Sequence, residues 1–171
     1  NLELLGAGVD QGNYLLKVID NTVSPMGARL LRRWLIFPLK NTVAINERLD
    51  AVETLIKDQP LRTTLSAAIK ACGDMERLVS KVPLKKINPR EVVQLARGLE
   101  QISIIKEAAA KSNNKKITDA AALLDPIPSI VDTIYQQIAE NPPVAANKGG
   151  VIKDGFHTEL DTLRNIATGG K

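Results

Sequence analysis

The segment from Thr22 to Pro38 constrains the fold most, because both ends of one helix can be located in it. Ser24 is a good N-cap residue, and Pro25 suits the first helical position, where no backbone donor is needed. Pro38 cannot continue a helix and restricts the residue before it. The segment therefore predicts a helix that begins at Pro25 and ends before Pro38.

Apolar side chains form one stripe along this helix when residues are spaced at about 100°. The centre of the stripe consists of Met26, Leu30, Trp34 and Phe37, and Leu31 and Leu35 widen it. We interpret the four central residues as structural packing residues. Trp34 is the only tryptophan of the chain, and its large ring leads us to expect it to be buried.

Three basic residues fall on the other side of the helix: Arg29, Arg32 and Arg33. Their spacing could hold phosphate groups or meet acidic groups on a partner. Solvation at the surface or pairing within the chain is the more common role of charges opposite an apolar stripe. The sequence leaves both interpretations open.

Further helices are predicted by capping residues followed by apolar residues at helical spacing. The predicted starts are Asn41 or Thr42, Asp58 with Pro60, Asp74, and Asn88 with Pro89, while Gly73 suits a helix end. Pro126 and Pro128 interrupt the pattern, and another amphipathic helix is marked by Ile127, Ile130, Ile134 and Ile138. Aromatic residues make up only 3% of the chain, so the core must consist of aliphatic side chains, which suits helices packed on helices. We predict an all-α fold, an irregular bundle of about seven to eight helices.

The segments between these helices are richer in glycine, proline or polar residues. Residues 1–21 form a lead-in segment with glycines 6, 8 and 12, residues 111–116 a solvated loop, and residues 141–155 an extended connector. A last helix is expected to begin near His157 and occupy residues 156–171. The sequence shows no internal repeat and no second domain.

The chain lacks the residues that most catalytic, metal-binding and nucleotide-binding sites require. His157 is the only histidine and Cys72 the only cysteine, so catalytic triads, multi-histidine metal sites and disulfides lack material. Glycines 6, 8 and 12 miss the dinucleotide-binding spacing. We predict no catalytic, cofactor-binding or metal-binding residues, and no enzyme activity for this chain.

Net charge and hydropathy indicate the kind of partner and the cellular setting that suit the chain. The net charge of +4 gives a mild basic bias that favours a polyanionic partner without requiring one. The absence of an apolar run long enough to span a membrane, together with the single Cys72, favours a reduced, cytoplasmic setting without membrane contact. The start at Asn1, without an initiating Met, suggests a fragment.

Several strings resemble, in order and spacing, the core domain of the MutS family of bacterial DNA mismatch-repair proteins. They are residues 1–4, 22–38, 46–53, 73–78, 88–90, 141–143 and 149–155. The resemblance covers essentially the whole chain. It departs at His157, where family members often have Asn or Asp.

The resemblance implies that residues 1–171 are the first part of the helical core and lever domain, domain III, before a clamp insertion. Residues 156–171 would then begin a lever helix towards the clamp. In the full-length family the domain links mismatched-DNA binding to ATP binding and hydrolysis, within the response to DNA damage. ATP and Mg would bind outside this chain, and the full-length protein would be a homodimer that works with other mismatch-repair proteins.

Three expectations about the isolated chain follow. If the returning helices of the core are missing, uncovered apolar faces should cause self-association. One alternative function is a helical interaction module that binds an acidic partner through its arginines. Another is weak, non-specific binding of duplex DNA by the basic face.

Overall fold

A computed structural model describes Leu4 and residues 14–169 of the chain. The predicted glycine-rich loop at residues 6–12 and the last two residues lie outside this part. The described residues form nine α-helices and one short 3-10 helix, and no β-strand occurs among them. The α-helices are α1 Leu15–Ile19, α2 Pro25–Ile36, α3 Thr42–Lys57, α4 Gln59–Cys72, α5 Met75–Lys81, α6 Pro89–Ala110, α7 Lys115–Ala122, α8 Pro128–Gln137 and α9 Thr158–Gly169. The predicted all-α class is confirmed.

Backbone contacts divide the chain into two compact units, a division that was not predicted from the sequence. The first unit combines Asn1–Met75 with Gln101–Asp125, and within it α3 packs against α4 and α7. Its buried hydrophobic side chains are small or aliphatic: Leu61, Ala68, Cys72, Ala109 and Ala121. Burial raises the pKa of the Cys72 thiol.

The second unit combines Glu76–Glu100 with Pro126–Lys171. Its buried side chains are Leu78, Val93, Ala96, Leu99, Val131 and Pro142. One polar contact joins α8 to α6, because the Tyr135 hydroxyl donates to Glu100 Oε2 at 2.7 Å. Another joins α6 to the segment after α8, because Arg90 Nε donates to the Pro142 carbonyl at 2.8 Å. Burial and the bond to Glu100 raise the pKa of Tyr135 to about 12.

The predicted helix ends of the first unit are confirmed by their hydrogen bonds. Ser24 Oγ accepts from the Gly27 amide at 3.1 Å, Asn41 Oδ1 from the Ala44 amide at 3.1 Å, and Asp58 Oδ1 from the Leu61 amide at 3.0 Å. Gly73 ends α4 with φ +66°, a left-handed conformation that favours glycine.

The start of α6 is a reciprocal capping box. Asn88 Oδ1 accepts from the Glu91 amide at 3.0 Å, and Glu91 Oε2 accepts from the Asn88 amide at 3.0 Å. Lys81 of α5 also donates to the Glu91 carboxylate. The bonds from Lys81 and Asn88 lower the pKa of Glu91, so the carboxylate stays charged and the cap stays formed.

Two segments differ from the sequence prediction. The loop predicted at residues 111–116 is shorter, because Asn114 Oδ1 accepts from the Ile117 amide at 3.2 Å and starts α7 at Lys115. The connector predicted as extended at residues 141–155 contains the 3-10 helix Ala146–Lys148. Its end returns to α8, where Ile138 and Ile152 form an antiparallel bridge.

No helix among the described residues is both long enough and apolar enough to cross a membrane.

Replacing Asn88 with Ala should lower the free energy of unfolding by about 1 kcal/mol, because the Glu91 amide loses its acceptor. The control is Asn46→Ala, at an exposed position inside α3, where alanine favours the helix. Urea denaturation followed by circular dichroism measures both. Equal effects of the two substitutions would contradict the role of the capping box.

Candidate functional site

The first candidate site is the surface of α2. The side of this helix that faces inward is not the side that the sequence predicted. The half-buried residues Gly27, Ala28, Leu31 and Leu35 form its inward side. This side lies about 120° around the helix from the predicted centre of the stripe. A side-chain carbon at Gly27 would lie 3.2 Å from Ser24 Oγ, so glycine at this position leaves room for the cap.

The expectation that Trp34 is buried is wrong. Trp34 is 40% exposed, Leu30 46% and Phe37 71%, while Met26 is half-buried. The apolar stripe is wider than the surface that the described helices cover, and they cover its Leu31 and Leu35 edge. The exposed row formed by Leu30 and Trp34 of α2 and by its C-cap residue Phe37 is called the α2 ridge below.

The arginines of α2 have separate environments. Arg29 forms a bidentate pair with Asp74, with Nη2 to Oδ1 at 2.7 Å and Nη1 to Oδ2 at 3.0 Å. Pairing within the chain was one of the roles that the sequence left open for the arginines of α2. The spacing alone could not identify Asp74 as the partner of Arg29. Arg32 and Arg33 are exposed, and neither guanidinium forms an ion pair with the described residues.

A fourth arginine reaches α2 from α3. The guanidinium carbon of Arg48 lies 3.5 Å from the centroid of the Trp34 ring, which is a cation–π contact. Sequence reasoning missed Arg48, because nothing local to α3 indicates a contact with a ring on another helix. Arg48 of α3 therefore borders the α2 ridge. Arg33 borders it as well, because at 100° per residue it lies about 65° from the centre of the ridge and not on the opposite side of the helix, where it was predicted.

A second exposed apolar row runs along α3. Leu49 is 58% exposed, Val52 53% and Ile56 64%, and their spacing of three and four residues places them on one face. We call this row the α3 ridge. The apolar spacing predicted α3 correctly as a helix, but the side that packs on α4 and α7 is a different one.

The second candidate site is the start of α9, where one arginine joins three parts of the chain. Arg164 Nη1 donates to Asp154 Oδ1 at 2.7 Å and to Asp161 Oδ1 at 3.1 Å, and Nη2 donates to the Ile152 carbonyl at 2.9 Å. The Gly155 amide donates to Asp161 Oδ2 at 2.9 Å. We call this arrangement the α9 junction.

The α9 junction continues into the end of α8. The Ala139 amide donates to the Val151 carbonyl at 2.9 Å, and the Lys153 amide donates to the Gln137 carbonyl at 2.8 Å. Gly155 lies between them and α9 with φ +82°, which a residue with a side chain rarely adopts. Sequence reasoning missed Arg164, although an Asp and an Arg three residues apart on a helix are a usable signal.

His157 is placed as the sequence predicted, at the helix start. Its Nδ1 accepts from the Leu160 amide at 3.3 Å, which replaces the Asn or Asp oxygen of better caps. Among the described residues, no group of three or more His, Cys, Asp or Glu side chains could hold a metal ion.

Replacing Trp34 with Ala in this chain should lower the free energy of unfolding by about 1–2 kcal/mol, because the residue is 40% exposed and its cation–π contact with Arg48 is worth about 1 kcal/mol or less. Leu78→Ala, at a position 6% exposed, should cost about 3 kcal/mol. Thermal and urea denaturation of both variants measure the difference. A larger loss for Trp34→Ala than for Leu78→Ala would show that Trp34 belongs to the core.

The comparisons with known proteins identify the same family over almost all of the chain. The family model described as MutS domain III matches residues 1–168. The DNA mismatch repair protein MutS of Bacteroides fragilis is 47% identical over 171 residues, which are 100% of this chain and 20% of that protein. The protein of the same description from Bacteroides thetaiotaomicron is 45% identical, with the same coverage.

A more distant relative is the DNA mismatch repair protein MutS of Bacillus velezensis. It is 38% identical over 157 residues, which are 92% of this chain and 18% of that protein. The chain thus spans about one fifth of the length of the curated relatives it matches. The family model covers far more than half of the chain, and the chain therefore belongs to the MutS domain III family.

Proposed function

We propose that the chain is a mechanical link in a mismatch-repair protein, between the binding of mismatched duplex DNA and the binding and hydrolysis of ATP. The proposal rests on family membership and on one structural observation, the α9 junction. In this role the chain transmits a displacement and carries out no chemical step of its own.

The α9 junction gives the start of α9 a defined geometry. A guanidinium with fixed fork geometry binds two carboxylates and a backbone carbonyl, so the helix cannot rotate about its first turn without breaking several of these bonds. The pair between Arg164 and Asp161 lies within α9, and the pair with Asp154 contributes little because that carboxylate is 92% exposed. The bonds that hold the helix are therefore those from Arg164 to the Ile152 carbonyl and from the Gly155 amide to Asp161.

A helix held in this way can carry motion over a distance. Its backbone rises about 1.5 Å per residue and it bends little, so a change at one end displaces the other. Packed helices also tend to switch between discrete arrangements. In the proposed role, the α9 junction is the fixed end of the lever that the family resemblance assigns to residues 156–171.

The remaining roles belong to the longer protein. By resemblance we assign ATP and Mg, the ATPase activity, the homodimer and the contacts with other mismatch-repair proteins to segments outside this chain. The proposed setting of the protein is the cytoplasm.

The α3 ridge supports self-association of the isolated chain as part of the same proposal. Exposed apolar residues in a row lose contact with water when two copies meet, which is worth about 25 cal/mol per Å² of apolar surface. The flanking charges Glu53 and Lys57 pair with each other at 2.5 Å, so they oppose such a contact weakly.

Two other functions have less support. Binding of duplex DNA by the basic side of α2 has less support because the charge of Arg29, one of its three arginines, is neutralised by Asp74. A helical interaction module independent of mismatch repair would not account for matches to MutS proteins along the whole chain.

In the longer parent protein, Arg164→Gln should reduce the stimulation of ATP hydrolysis by mismatched DNA by on the order of tenfold, a common size for coupling between sites. Mismatch affinity without nucleotide and ATP hydrolysis without DNA should change little, because neither ligand contacts Arg164 in the proposal. Steady-state ATPase assays with and without mismatched duplex measure the coupling. Arg32→Gln, at an exposed arginine without an ion pair to the described residues, is the matched control.

Amide hydrogen exchange on the 171-residue chain distinguishes an error in the proposed link from an error in the role of the α9 junction. Arg164→Gln should speed exchange in α9 and leave α6 protected. If α9 loosens and the stimulation of ATP hydrolysis stays normal, the proposed link is wrong. If α9 exchange does not change, the α9 junction does not hold the helix.

A further inference from the structure

We propose that the pair Asp154–Gly155 is a site of spontaneous isoaspartate formation, and that the α9 junction suppresses this modification while the start of α9 is in place. The proposal goes beyond the link function and does not depend on it. It rests on the Asp–Gly pair, on the left-handed conformation of Gly155, and on the hydrogen bonds that hold the two reacting groups.

The sequence favours this reaction at one bond. Asp154–Gly155 is the only Asp–Gly pair, no Asn–Gly pair occurs, and every other aspartate is followed by a residue with a side chain. An aspartate reacts with the next backbone nitrogen most readily when the next residue is glycine, because no side chain then hinders the close approach of the backbone.

The reaction has two steps and uses only water. The Gly155 nitrogen attacks Cγ of Asp154 in its acid form, so that a carbon–nitrogen bond forms and the amide proton leaves together with the carboxyl hydroxyl as water. Water then opens the resulting succinimide ring at either carbonyl. Opening at Cγ restores aspartate, and opening at the backbone carbonyl gives isoaspartate, in which the chain continues through the former side chain.

The fold requires the residue that makes this bond reactive. Gly155 has φ +82°, a conformation that a residue with a side chain rarely adopts. A side chain at position 155 would slow the attack, but it would strain the turn that leads into α9. Protection of the bond must therefore come from its neighbours, and the hydrogen bonds of the α9 junction are placed to give it.

The attacking nitrogen is held by a carboxylate of α9. The Gly155 amide donates to Asp161 Oδ2 at 2.9 Å, so it cannot rotate towards the side chain of Asp154 without losing this bond. The negative charge of Asp161 also disfavours loss of the amide proton, because the deprotonated nitrogen would face a second negative charge. Both effects slow the attack.

The carboxylate under attack is restrained as well. Arg164 Nη1 donates to Asp154 Oδ1 at 2.7 Å, and Nη2 of the same guanidinium donates to the Ile152 carbonyl at 2.9 Å. The carboxylate must leave this guanidinium to reach the Gly155 nitrogen. This restraint is the weaker of the two, because the pair of Arg164 with Asp154 is open to water at the carboxylate.

Isoaspartate at position 154 changes the geometry of the α9 junction. It inserts one additional carbon atom into the backbone directly before Gly155, and it attaches the free carboxylate one carbon closer to the chain. The bond from Arg164 to this carboxylate and the bond from the Gly155 amide to Asp161 then no longer fit together. The modification therefore weakens the attachment of α9.

The experiment compares the 171-residue chain with a peptide of residues 150–158, which lacks Asp161 and Arg164. Both are kept at neutral pH in water enriched in heavy oxygen. Each succinimide that opens takes up one heavy oxygen, and digestion in ordinary water followed by mass spectrometry locates it. Labelling with an isoaspartyl methyltransferase measures the isoaspartate separately. The chain should take up heavy oxygen at Asp154 at least about tenfold more slowly than the peptide, because the reaction needs an open junction.

Two variants open the α9 junction from different sides. Asp161→Ala removes the acceptor of the Gly155 amide and should raise the rate at Asp154 by about tenfold, because a hydrogen bond to a charged group is lost. Arg164→Gln should raise the rate by about threefold or more. Asp132→Ala, at an exposed position in α8, is the matched control and should leave the rate within about twofold. Circular dichroism checks that each variant is folded.

Several results would overturn the proposal. Equal rates in the chain and in the peptide would show that the α9 junction gives no protection, and no heavy oxygen in the peptide would show that the pair is unreactive. Equal rates in Asp161→Ala and Asp132→Ala would show that the bond to the Gly155 amide does not matter. A slower rate in Asp161→Ala than in the unchanged chain would make Asp161 a base that assists the attack. The comparison of chain and peptide needs no variant, so it decides the question even if Asp161→Ala fails to fold.

Discussion

Side-chain caps fix where six of the nine described α-helices begin. In each case an oxygen or a ring nitrogen accepts a hydrogen bond from a backbone amide of the first turn, which has no partner inside the helix. The capping residues are Ser24, Asn41, Asp58, Asn88, Asn114 and His157. The buried side chains of both units are mostly small or aliphatic, so they determine which side of a helix is buried and do not mark its first residue. The caps therefore determine the first residue of these helices more closely than core packing does.

The caps are local in sequence, and for that reason most of the fold could be predicted. Asn88 and Glu91 are three residues apart, so their reciprocal bonds can be inferred from the string alone. Asn114 carries the same signal, but the lysines around it resembled a solvated loop, and α7 begins earlier than predicted. His157 shows that a weaker capping residue still marks a helix start.

The orientation of the helices could not be predicted in the same way. On α2 and α3 the apolar residues cover more of the circumference than a single packing contact needs. The sequence therefore allows several inward faces, and only the neighbouring helices select one. This is why Trp34 is exposed although it lies at the centre of its apolar stripe. The partner of Arg29 and the contact of Arg48 could not be identified for a related reason, because each depends on how separate segments come together. For Arg164, only the contact with Asp161 in the same helix has a local signal.

The buried thiol of Cys72 has a practical consequence. A thiol reacts as its thiolate, and burial both raises its pKa and keeps reagents away, since the residue is only 2% exposed. Modification of Cys72 must then wait until α4 separates from its neighbours. The rate of that reaction measures how often the first unit opens, in a chain where no other cysteine contributes to the signal.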